Sequence, residues 1–442
     1  MGFFMQCFFT VLQFLDNVIW GYVGVIMMVA IGVYLTIRSR FLQIKVLFRT
    51  RIHIKDLIQS ADSRHPGVNP IKLYFASIGG MIGLGNLVAV VTTVTIGGPG
   101  SLVWMWLASF MGMIIKYSEI YLGIKYRVAS QNGYDGGPMY YLQAAFPSMV
   151  ITKFLPIVVC VLLCIYGAEV SQFLILTDTF VATMHIKRHL AVVVLLALVL
   201  MSTLGGVKRL AAICSALMPP FMISYIIIGL WVVFDHAGEL PGMLKLVFSS
   251  AFTGHAALGG FAGSTMITAA HYGVSRAVYS GDIGIGYDSI VQSETRTKHP
   301  EKQARLAVFA LFSDTTICTI TALIVLLTGL WTTTTLQPSE YVGTALANYI
   351  PSRYLDVYML ILFFIAGFTT IIGYLVVGQK SAKFLHPKYG RLIYMFYAVF
   401  AFIMCTFYDQ KNVMLLMSVS GGCLMMINLL GVFRLRQSIQ YK

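Results

Sequence analysis

Four glycines and an asparagine lie in the middle of an apolar run that is long enough to cross a lipid bilayer. The run extends from about residue 73 to residue 96, and its centre carries Gly79, Gly80, Gly83, Gly85 and Asn86. Roughly 20 apolar residues in a helix cover the ~30 Å hydrocarbon core. Glycine weakens a helix and lets its backbone unwind. Backbone groups freed at membrane depth are tolerated only where they line a cavity enclosed by protein.

Two interpretations of this stretch follow from the residues. A helix broken at the midplane offers N–H groups to an anion and carbonyl groups to a cation, as in secondary transporters. Alternatively, the glycines allow two unbroken helices to cross closely. A second group, Gly259, Gly260 and Gly263, opens a later apolar segment and is followed by Ser264. Glycine-interrupted segments at matching places in two halves of a chain favour two broken helices and a binding site.

The composition is that of a polytopic membrane protein. Apolar residues make up 58% of the 442 residues and charged residues only 11%, whereas a soluble domain has about 25% charged residues. The formal net charge of +14 does not indicate nucleic-acid binding, because an excess of Lys and Arg in a membrane protein marks its cytoplasmic loops. The seven cysteines form no Cys-x-x-Cys pair, so no disulfide framework or zinc site is expected. No phosphate-binding loop is present, and no cofactor is expected.

The hydropathy pattern predicts an all-α polytopic membrane protein with 11 transmembrane helices and two broken helices. Residues 1–442 form one transporter domain, with an extra N-terminal helix at 17–37 and a basic cytoplasmic connector at 38–72. Ten spans remain, and five in each half require the second half to be inverted relative to the first. The first repeat covers 73–235 and the second 256–435. The ten spans lie near residues 73–96, 101–124, 151–184, 189–206, 211–234, 256–279, 303–330, 353–377, 391–408 and 413–433.

The loop charges predict the orientation in the membrane. With the N-terminus outside, all but five of the 31 Lys and Arg residues lie on the inner side or at the adjoining helix ends; the exceptions are Lys187, Arg188, Lys245, Arg353 and Lys411. This bias places the N-terminus outside and the C-terminus in the cytoplasm. We therefore expect a multi-pass protein of the plasma membrane, the inner membrane in a bacterium.

Several sequence stretches resemble one family of transporters. They are Gly97-Gly98-Pro99-Gly100 leading to Trp104-Met105-Trp106, Lys116-Tyr117-Ser118-Glu119, Gly136-Gly137-Pro138-Met139-Tyr140-Tyr141, residues 257–264 with Tyr272-Gly273-Val274-Ser275-Arg276, and Asp314-Thr315 leading to Thr321-Ala322-Leu323. On these motifs the chain is identified as a member of the alanine/glycine:cation symporter family, within the amino acid–polyamine–organocation-type inverted-repeat transporters. The resemblance runs from about residue 17 to 435 and implies a five-plus-five inverted fold like that of the neurotransmitter:sodium symporters.

The resemblance implies a sodium site between the first and eighth core helices. Residues 82–86 are similar to an unwound first core helix, and residues 366–370 to the matching stretch of the eighth. Its ligands would be the carbonyls of Gly79, Ile82 and Ala366 and the hydroxyls of Thr369 and Thr370. A hard cation prefers such oxygen ligands. Alternatively, the two threonines bond back to their own helix, as is common in membranes.

The resemblance also implies a substrate site. The substrate carboxylate would rest on the N–H groups of Leu84 and Gly85, at the positive end of a half-helix. Gln172 would bind a polar end of the substrate or, alternatively, form an interhelical hydrogen bond. Residues of the second broken helix and an aromatic residue would complete the walls: Phe261, Gly263, Ser264 and Tyr374. Asn86 would supply an oxygen to an ion or anchor the broken helix, and we favour the anchor.

This chain departs from the family pattern at Met81, Leu84, Gly281 and Glu169. A carboxylate at bilayer depth costs at least ~2.5 kcal/mol and needs a reason. Glu169, one helical turn from Gln172, would take a proton or meet the substrate's amino group; alternatively it forms an interhelical hydrogen bond as the neutral acid.

Two further acidic residues fall in apolar segments. Asp314 would fix a gate or bind an ion, facing either the interior of the helix bundle or the inner mouth. Glu119 lies three residues after Lys116, and this spacing predicts a structural ion pair on one helix face.

Together these features predict a symporter of a small neutral amino acid, alanine or glycine, driven by Na⁺ and working by alternating access. The main alternative is a proton-coupled symporter of the same fold with Glu169 as the proton carrier. A membrane-embedded enzyme is disfavoured because no nucleophile–base pair or metal cluster has suitable spacing. A channel is the third alternative. The expected partners are the amino acid, Na⁺ and the lipid bilayer.

Overall fold

The computed structural model describes residues 2–60, 67–130, 133–253, 266–332, 336–407 and 410–441. These residues are almost entirely helical, apart from an antiparallel hairpin of strands β1 (Val128–Ser130) and β2 (Gly133–Asp135). The helices are α1 Gly2–Val18, α2 Gly24–Arg38, α3 Leu42–Phe48, α4 Thr50–Ser60, α5 Pro70–Met81, α6 Val90–Ile96, α7 Ser101–Lys125, α8 Pro138–Ala145, α9 Met149–Tyr166, α10 Val170–Met184, α11 Arg188–Thr203, α12 Gly206–Asp235, α13 Leu240–Thr253, α14 Met266–Gly281, α15 Tyr287–Val291, α16 Pro300–Ala304, α17 Leu306–Leu327, α18 Tyr341–Leu346, α19 Ser352–Leu385, α20 Gly390–Phe407 and α21 Gln410–Arg434.

The glycine-rich stretch is a broken helix, as the sequence predicts. Helix α5 begins with Pro70 in its first turn and with the Asn69 side chain accepting a hydrogen bond from the Ile71 N–H, which is a common helix start. It ends at Met81. The chain resumes as a short π-helix, Gly85–Ala89, that continues into α6. The two halves are bent by 50° relative to each other.

The span predicted at 151–184 also contains a break. Helix α9 ends at Tyr166 and α10 begins at Val170. Between them, Glu169 adopts the left-handed backbone conformation with φ of 48°. This conformation costs a residue with a side chain roughly 1–2 kcal/mol. The hydropathy pattern predicts one continuous helix here, and the structure corrects this prediction with two helices, α9 and α10.

A third break separates α14 from α15. Helix α14 runs unbroken to Gly281, and the following turn contains three residues with positive φ: Asp282 at 49°, Gly284 at 82° and Gly286 at 99°. The predicted break around Gly259–Gly263 lies outside the described residues. The described break is about 20 residues further along the chain.

Eight described helices are long and apolar enough to cross a bilayer, and the bent pair α5–α6 adds a ninth candidate. The predicted span at 189–206 corresponds to α11, which has only 16 residues. The predicted span at 256–279 includes residues outside the described part. The count of 11 and the inverted repeat therefore stay predictions, whereas a mostly helical multi-pass architecture is confirmed.

Helix α7 is the centre of the packing. Its membrane-spanning window is 83% buried, and it contacts α14, α17, α2 and α15. Helix α19, equally buried, contacts α5, α9, α10, α12 and α20. The basic connector forms α3 and α4. The three helix breaks lie next to the two buried helices, and the candidate site is formed there.

Candidate functional site

A cavity of about 420 Å³ lies where the three breaks meet. The first broken helix supplies Gly83, Leu84, Gly85 and Asn86; the other walls come from the α9–α10 break, from α14 and its end, and from α19. The lining also includes Glu169, Gln172, Arg276, Ser280, Asp282, Thr370 and Tyr374. The structure thus brings seven of the residues named from the sequence to one cavity: Leu84, Gly85, Gln172, Tyr374, Asn86, Glu169 and Thr370. Phe261, Gly263 and Ser264 lie outside the described residues.

The first N–H groups after the break are held by side-chain amides. Gln172 Oε1 accepts a hydrogen bond from the Leu84 N–H at 2.9 Å. Asn86 Oδ1 accepts one from the Gly83 N–H at 3.2 Å. The interhelical contact that we considered for Gln172 is therefore present. Its role in substrate binding stays a prediction, and the N–H group that it contacts is the predicted carboxylate site.

Gly83 and Gly85 allow side chains to approach the broken backbone closely. A Cβ atom on Gly83 would lie 2.8 Å from Thr370 Oγ1 and 3.2 Å from the Gln172 amide. On Gly85, it would lie 2.9 Å from Arg276 Nη1. Real Cβ atoms rarely come this close to other heavy atoms, so larger residues at these positions would force these side chains apart.

The predicted sodium ligands are partly assembled. Thr370 Oγ1 on α19 contacts the Gly79 carbonyl on α5 at 3.1 Å. In contrast, Thr369 Oγ1 donates to Ile365 O of its own helix at 2.8 Å, which is the alternative considered for it. Ile82 and Ala366 are fully buried but do not line the cavity. A hydroxyl and a carbonyl from two helices suit a monovalent cation, and sodium binding by the five residues stays a prediction.

Asn86 anchors the broken helix to two other helices. Its Nδ2 atom donates to Asp314 Oδ1 on α17 at 2.6 Å, and Ser280 at the end of α14 donates to both oxygens of the same carboxylate. Arg276 Nη2 is 3.5 Å from Asn86 Oδ1. Asp314 is 1% exposed and faces the interior of the bundle, one of the two positions considered. These contacts are those of an anchor.

Lys116 connects the first and third breaks. Its fully buried ammonium group is 2.8 Å from Met81 Sδ at the end of α5, donates to the Gly281 carbonyl at the end of α14, and forms an ion pair of 2.7 Å with Asp288 on α15. The predicted ion pair with Glu119 is wrong. Glu119 instead accepts a hydrogen bond from the Gly284 N–H. Lys116 pairs with Asp288, which is distant in the sequence but lies next to Lys116 in the fold.

Asp282 and Arg276 line the cavity but are not among the site residues predicted from the sequence. Asp282 is 3% exposed, and its Oδ2 atom, like the Tyr374 hydroxyl, has no hydrogen bond of good geometry within the described ranges, although the two groups lie close together. Arg276 is 8% exposed. The glycines Gly281, Gly284 and Gly286 around Asp282 are the same type of signal as those of the first break and would have indicated this position.

A second cavity adjoins the first. Its volume is about 740 Å³, and the two cavities share Val88 and Ile175 in their linings. Asp178, Glu340 and Asp356 also line it. The second cavity extends from this shared wall to the exposed residues Asp178, Glu340 and Asp356.

Ion pairs join α19 to the β-hairpin and to the segment after α15. Lys380 contacts Glu294 at 2.6 Å and Asp135 at 3.2 Å, while Lys383 contacts Asp135 at 2.8 Å. We refer to Lys380, Lys383, Asp135 and Glu294 as the ion-pair cluster. Burial alone would raise the pKa of Asp135, but the two ammonium groups dominate and lower it to about 2.

Known proteins are similar to this chain over almost its whole length. The profile of the sodium:alanine symporter family matches residues 5–441. A Haemophilus influenzae protein named an uncharacterized transporter is 30% identical over 447 residues, covering 97% of this chain and 94% of that protein. The sodium/alanine symporter AgcS of Methanococcus maripaludis is 27% identical, with 97% and 95% covered. The probable sodium/glutamine symporter GlnT of Bacillus subtilis is 26% identical, with 96% and 87% covered.

Two solved structures share the fold at low sequence identity. MhsT in complex with L-phenylalanine aligns with a TM-score of 0.55 at 15% identity, covering 82% of this chain and 89% of that chain. Mhp1, a nucleobase-cation-symport-1 family transporter in a closed conformation, aligns with a TM-score of 0.53 at 13% identity, covering 80% and 76%. Both comparisons concern the arrangement of the helices.

Proposed function

The chain belongs to the sodium:alanine symporter family, and on that premise we propose that it couples the uptake of a small neutral amino acid, alanine or glycine, to the entry of Na⁺. It is a multi-pass membrane transporter and not an enzyme. The proposal includes the two inverted repeats, 73–235 and 256–435, and an inner-membrane location with the N-terminus outside and the C-terminus in the cytoplasm.

The observation that carries the proposal is the break between α5 and α6 beside a cavity. The Leu84 N–H lies at the start of a half-helix, where the helix dipole favours an anion, and a side-chain oxygen already contacts it. A substrate carboxylate would replace the Gln172 oxygen there. Gly79 O and Thr370 Oγ1 lie behind the break and would bind the cation. One broken helix therefore serves both solutes.

Alternating access requires that the site opens to one side of the membrane at a time. The two adjoining cavities lead from the breaks toward one face, which would be the outer face in the proposed orientation. The ion-pair cluster would close the inner side. Sodium drives the cycle only if it binds the two conformations with different affinity, and a site shared between α5 and α19 has that property if these helices move relative to each other.

The experiment is uptake of labelled alanine and glycine into proteoliposomes that contain the purified protein. An inward sodium gradient at equal pH on both sides should drive saturable accumulation, and an equal potassium gradient should not. Accumulation that follows a proton gradient without sodium would instead support the second candidate, a proton-coupled symporter, which the position of Glu169 in the cavity favours. Absence of uptake under both gradients would contradict the proposal.

A further inference from the structure

Two carboxylates from different helix breaks face the same cavity. Glu169 lies at the α9–α10 break and Asp282 at the α14–α15 break, and both line the space beside the first broken helix. Each is only 3% exposed. Both adopt the left-handed backbone conformation, with φ of 48° and 49°. Glycine would adopt this conformation without strain, so both positions hold an acidic side chain at a cost in stability.

Neither carboxylate is matched by a basic partner in an ion pair of the described structure. Lys116 pairs with Asp288, and Arg276 lies beside Gly85 and Asn86. Asp282 Oδ2 and the hydroxyl of Tyr374 are buried without a hydrogen bond of good geometry in the same part of the chain. Buried acidic groups without partners are costly in a membrane. A cation that enters the cavity would supply the missing interactions.

Another part of the cavity lining has the opposite sign. The half-helix that starts after the break presents its N–H groups, and Arg276 places its guanidinium next to Gly85. The Nε atom of Arg276 is buried and has no hydrogen-bond partner among the residues described. One part of the lining therefore favours an anionic group and another part a cationic group, which is the charge distribution that a zwitterion requires.

Gln172 and Glu169 place the two charge preferences beside each other in the cavity lining. Gln172 marks the anion end because its Oε1 contacts the Leu84 N–H, and Glu169 lies three residues before it, at the start of α10. Both side chains line the same cavity, so a small solute in this cavity lies beside both groups.

We propose that Glu169 and Asp282 bind the ammonium group of the substrate, opposite a carboxylate end formed by the Leu84 and Gly85 N–H groups and Arg276. This inference rests on the proposed function and specifies it: the site selects solutes with a free primary ammonium group next to a carboxylate. A trimethylated amine lacks N–H donors and is too large for the two carboxylates and the Tyr374 hydroxyl to surround. A carboxylate without an amine leaves both acidic groups without a partner.

The test measures uptake of labelled alanine in proteoliposomes against unlabelled alanine, N,N,N-trimethylalanine and propionate. Wild-type protein should be inhibited by alanine and at least tenfold more weakly by the other two compounds. Glu169→Gln should raise the alanine concentration for half-maximal uptake at least tenfold and reduce the discrimination against propionate. Glu169→Asp should restore part of the affinity, and the exposed control Glu239→Gln should behave as wild type. Asp282→Asn provides a second variant with the same expected result if Glu169→Gln does not fold.

The outcomes separate the inference from the function on which it rests. If the wild type takes up no alanine in a sodium gradient, the proposed function fails and the inference fails with it. If the wild type is active and both Glu169→Gln and Asp282→Asn keep its alanine affinity and its discrimination, only the inference fails. If these variants instead raise the sodium concentration for half-maximal uptake and leave alanine affinity unchanged, the carboxylates bind the ion, which also overturns the inference.

Discussion

The cavity at the helix breaks and the ion-pair cluster differ in whether their charged side chains form ion pairs. In the cavity, Glu169 and Asp282 lie in strained backbone conformations and form no ion pair among the described residues. In the cluster, Lys380 contacts two carboxylates, and Asp135 contacts two ammonium groups. Both regions contain buried or partly buried charges. Only the cluster has the partners that make buried charge stable.

This difference indicates that the cavity binds a charged ligand, whereas the charges of the ion-pair cluster are balanced within the protein. A cluster whose charges are all paired stabilises the conformation in which its ion pairs are formed. A cavity in which two buried carboxylates form no ion pair is stabilised when a cation enters. The strain at Glu169 and Asp282 agrees with this view, because strained residues persist where function requires their position.

The largest expected effect comes from Lys116→Met. Asp288 is 1% exposed and would lose its cation, and removing one partner of a buried pair costs about 3–5 kcal/mol. We expect the unfolding temperature of the purified protein, followed by size-exclusion chromatography after heating, to fall by several degrees or more. Lys298→Met, at an exposed position, is the matched control and should change little. Equal stability of the two variants would contradict the role of Lys116 at the two breaks.

Breaking the ion-pair cluster should change conformation more than stability. Lys380→Gln removes contacts to Asp135 and Glu294. If these pairs hold one face closed, a loss of about 3 kcal/mol would shift the population of the open state by roughly a hundredfold. The measurement is the labelling rate of a cysteine placed at Ser293, a fully buried residue next to Glu294 of the cluster, in a background without other reactive cysteines. Faster labelling than in the exposed control Lys388→Gln is expected; an unchanged rate would show that the cluster does not close this face.

The two neighbouring threonines should differ in their effect on sodium. Thr370→Val removes the hydroxyl that reaches the Gly79 carbonyl across two helices, and we expect the sodium concentration for half-maximal uptake to rise about tenfold, since a lost hydrogen bond and ion ligand together exceed ~1 kcal/mol. Thr369→Val removes a hydroxyl that bonds to its own helix and should have a smaller effect. The reverse order would assign the ion to Thr369.

The smallest effect concerns pH. The pKa of Asp135 is lowered to about 2, below its ordinary value, so its contribution to the closed face is present above the ordinary value and is lost as the pH falls toward about 2. Between about pH 5 and 8 the cluster should therefore not titrate through this group. Thiol labelling at the Ser293 position should be independent of pH in this range. A change in labelling between these values that Asp135→Asn abolishes would contradict this assignment.

The sequence predicts the first helix break because glycines interrupt a run that is otherwise apolar. It also predicts that Leu84, Gln172 and Tyr374 lie at one site, through the resemblance to a family. The break at Glu169 is not predictable in this way, since a left-handed glutamate depends on the packing around it. The pairing of Lys116 with Asp288 is not predictable from the sequence either. Glu119 lies at helical spacing from Lys116, whereas Asp288 approaches Lys116 only in the folded chain. The break at Asp282 could be predicted from the three glycines around it, Gly281, Gly284 and Gly286.

The most direct test of the central claim is binding of labelled alanine to the purified protein with and without sodium, using wild type and Gly83→Ala. A Cβ at Gly83 would push against Thr370 and Gln172, whereas one at Gly242 would meet nothing within 4 Å, so Gly242→Ala is the control. We predict saturable, sodium-dependent binding in wild type and in Gly242→Ala, and at least a tenfold loss in Gly83→Ala. Binding by folded Gly83→Ala with wild-type affinity for both alanine and sodium would contradict the placement of the site at the broken helix.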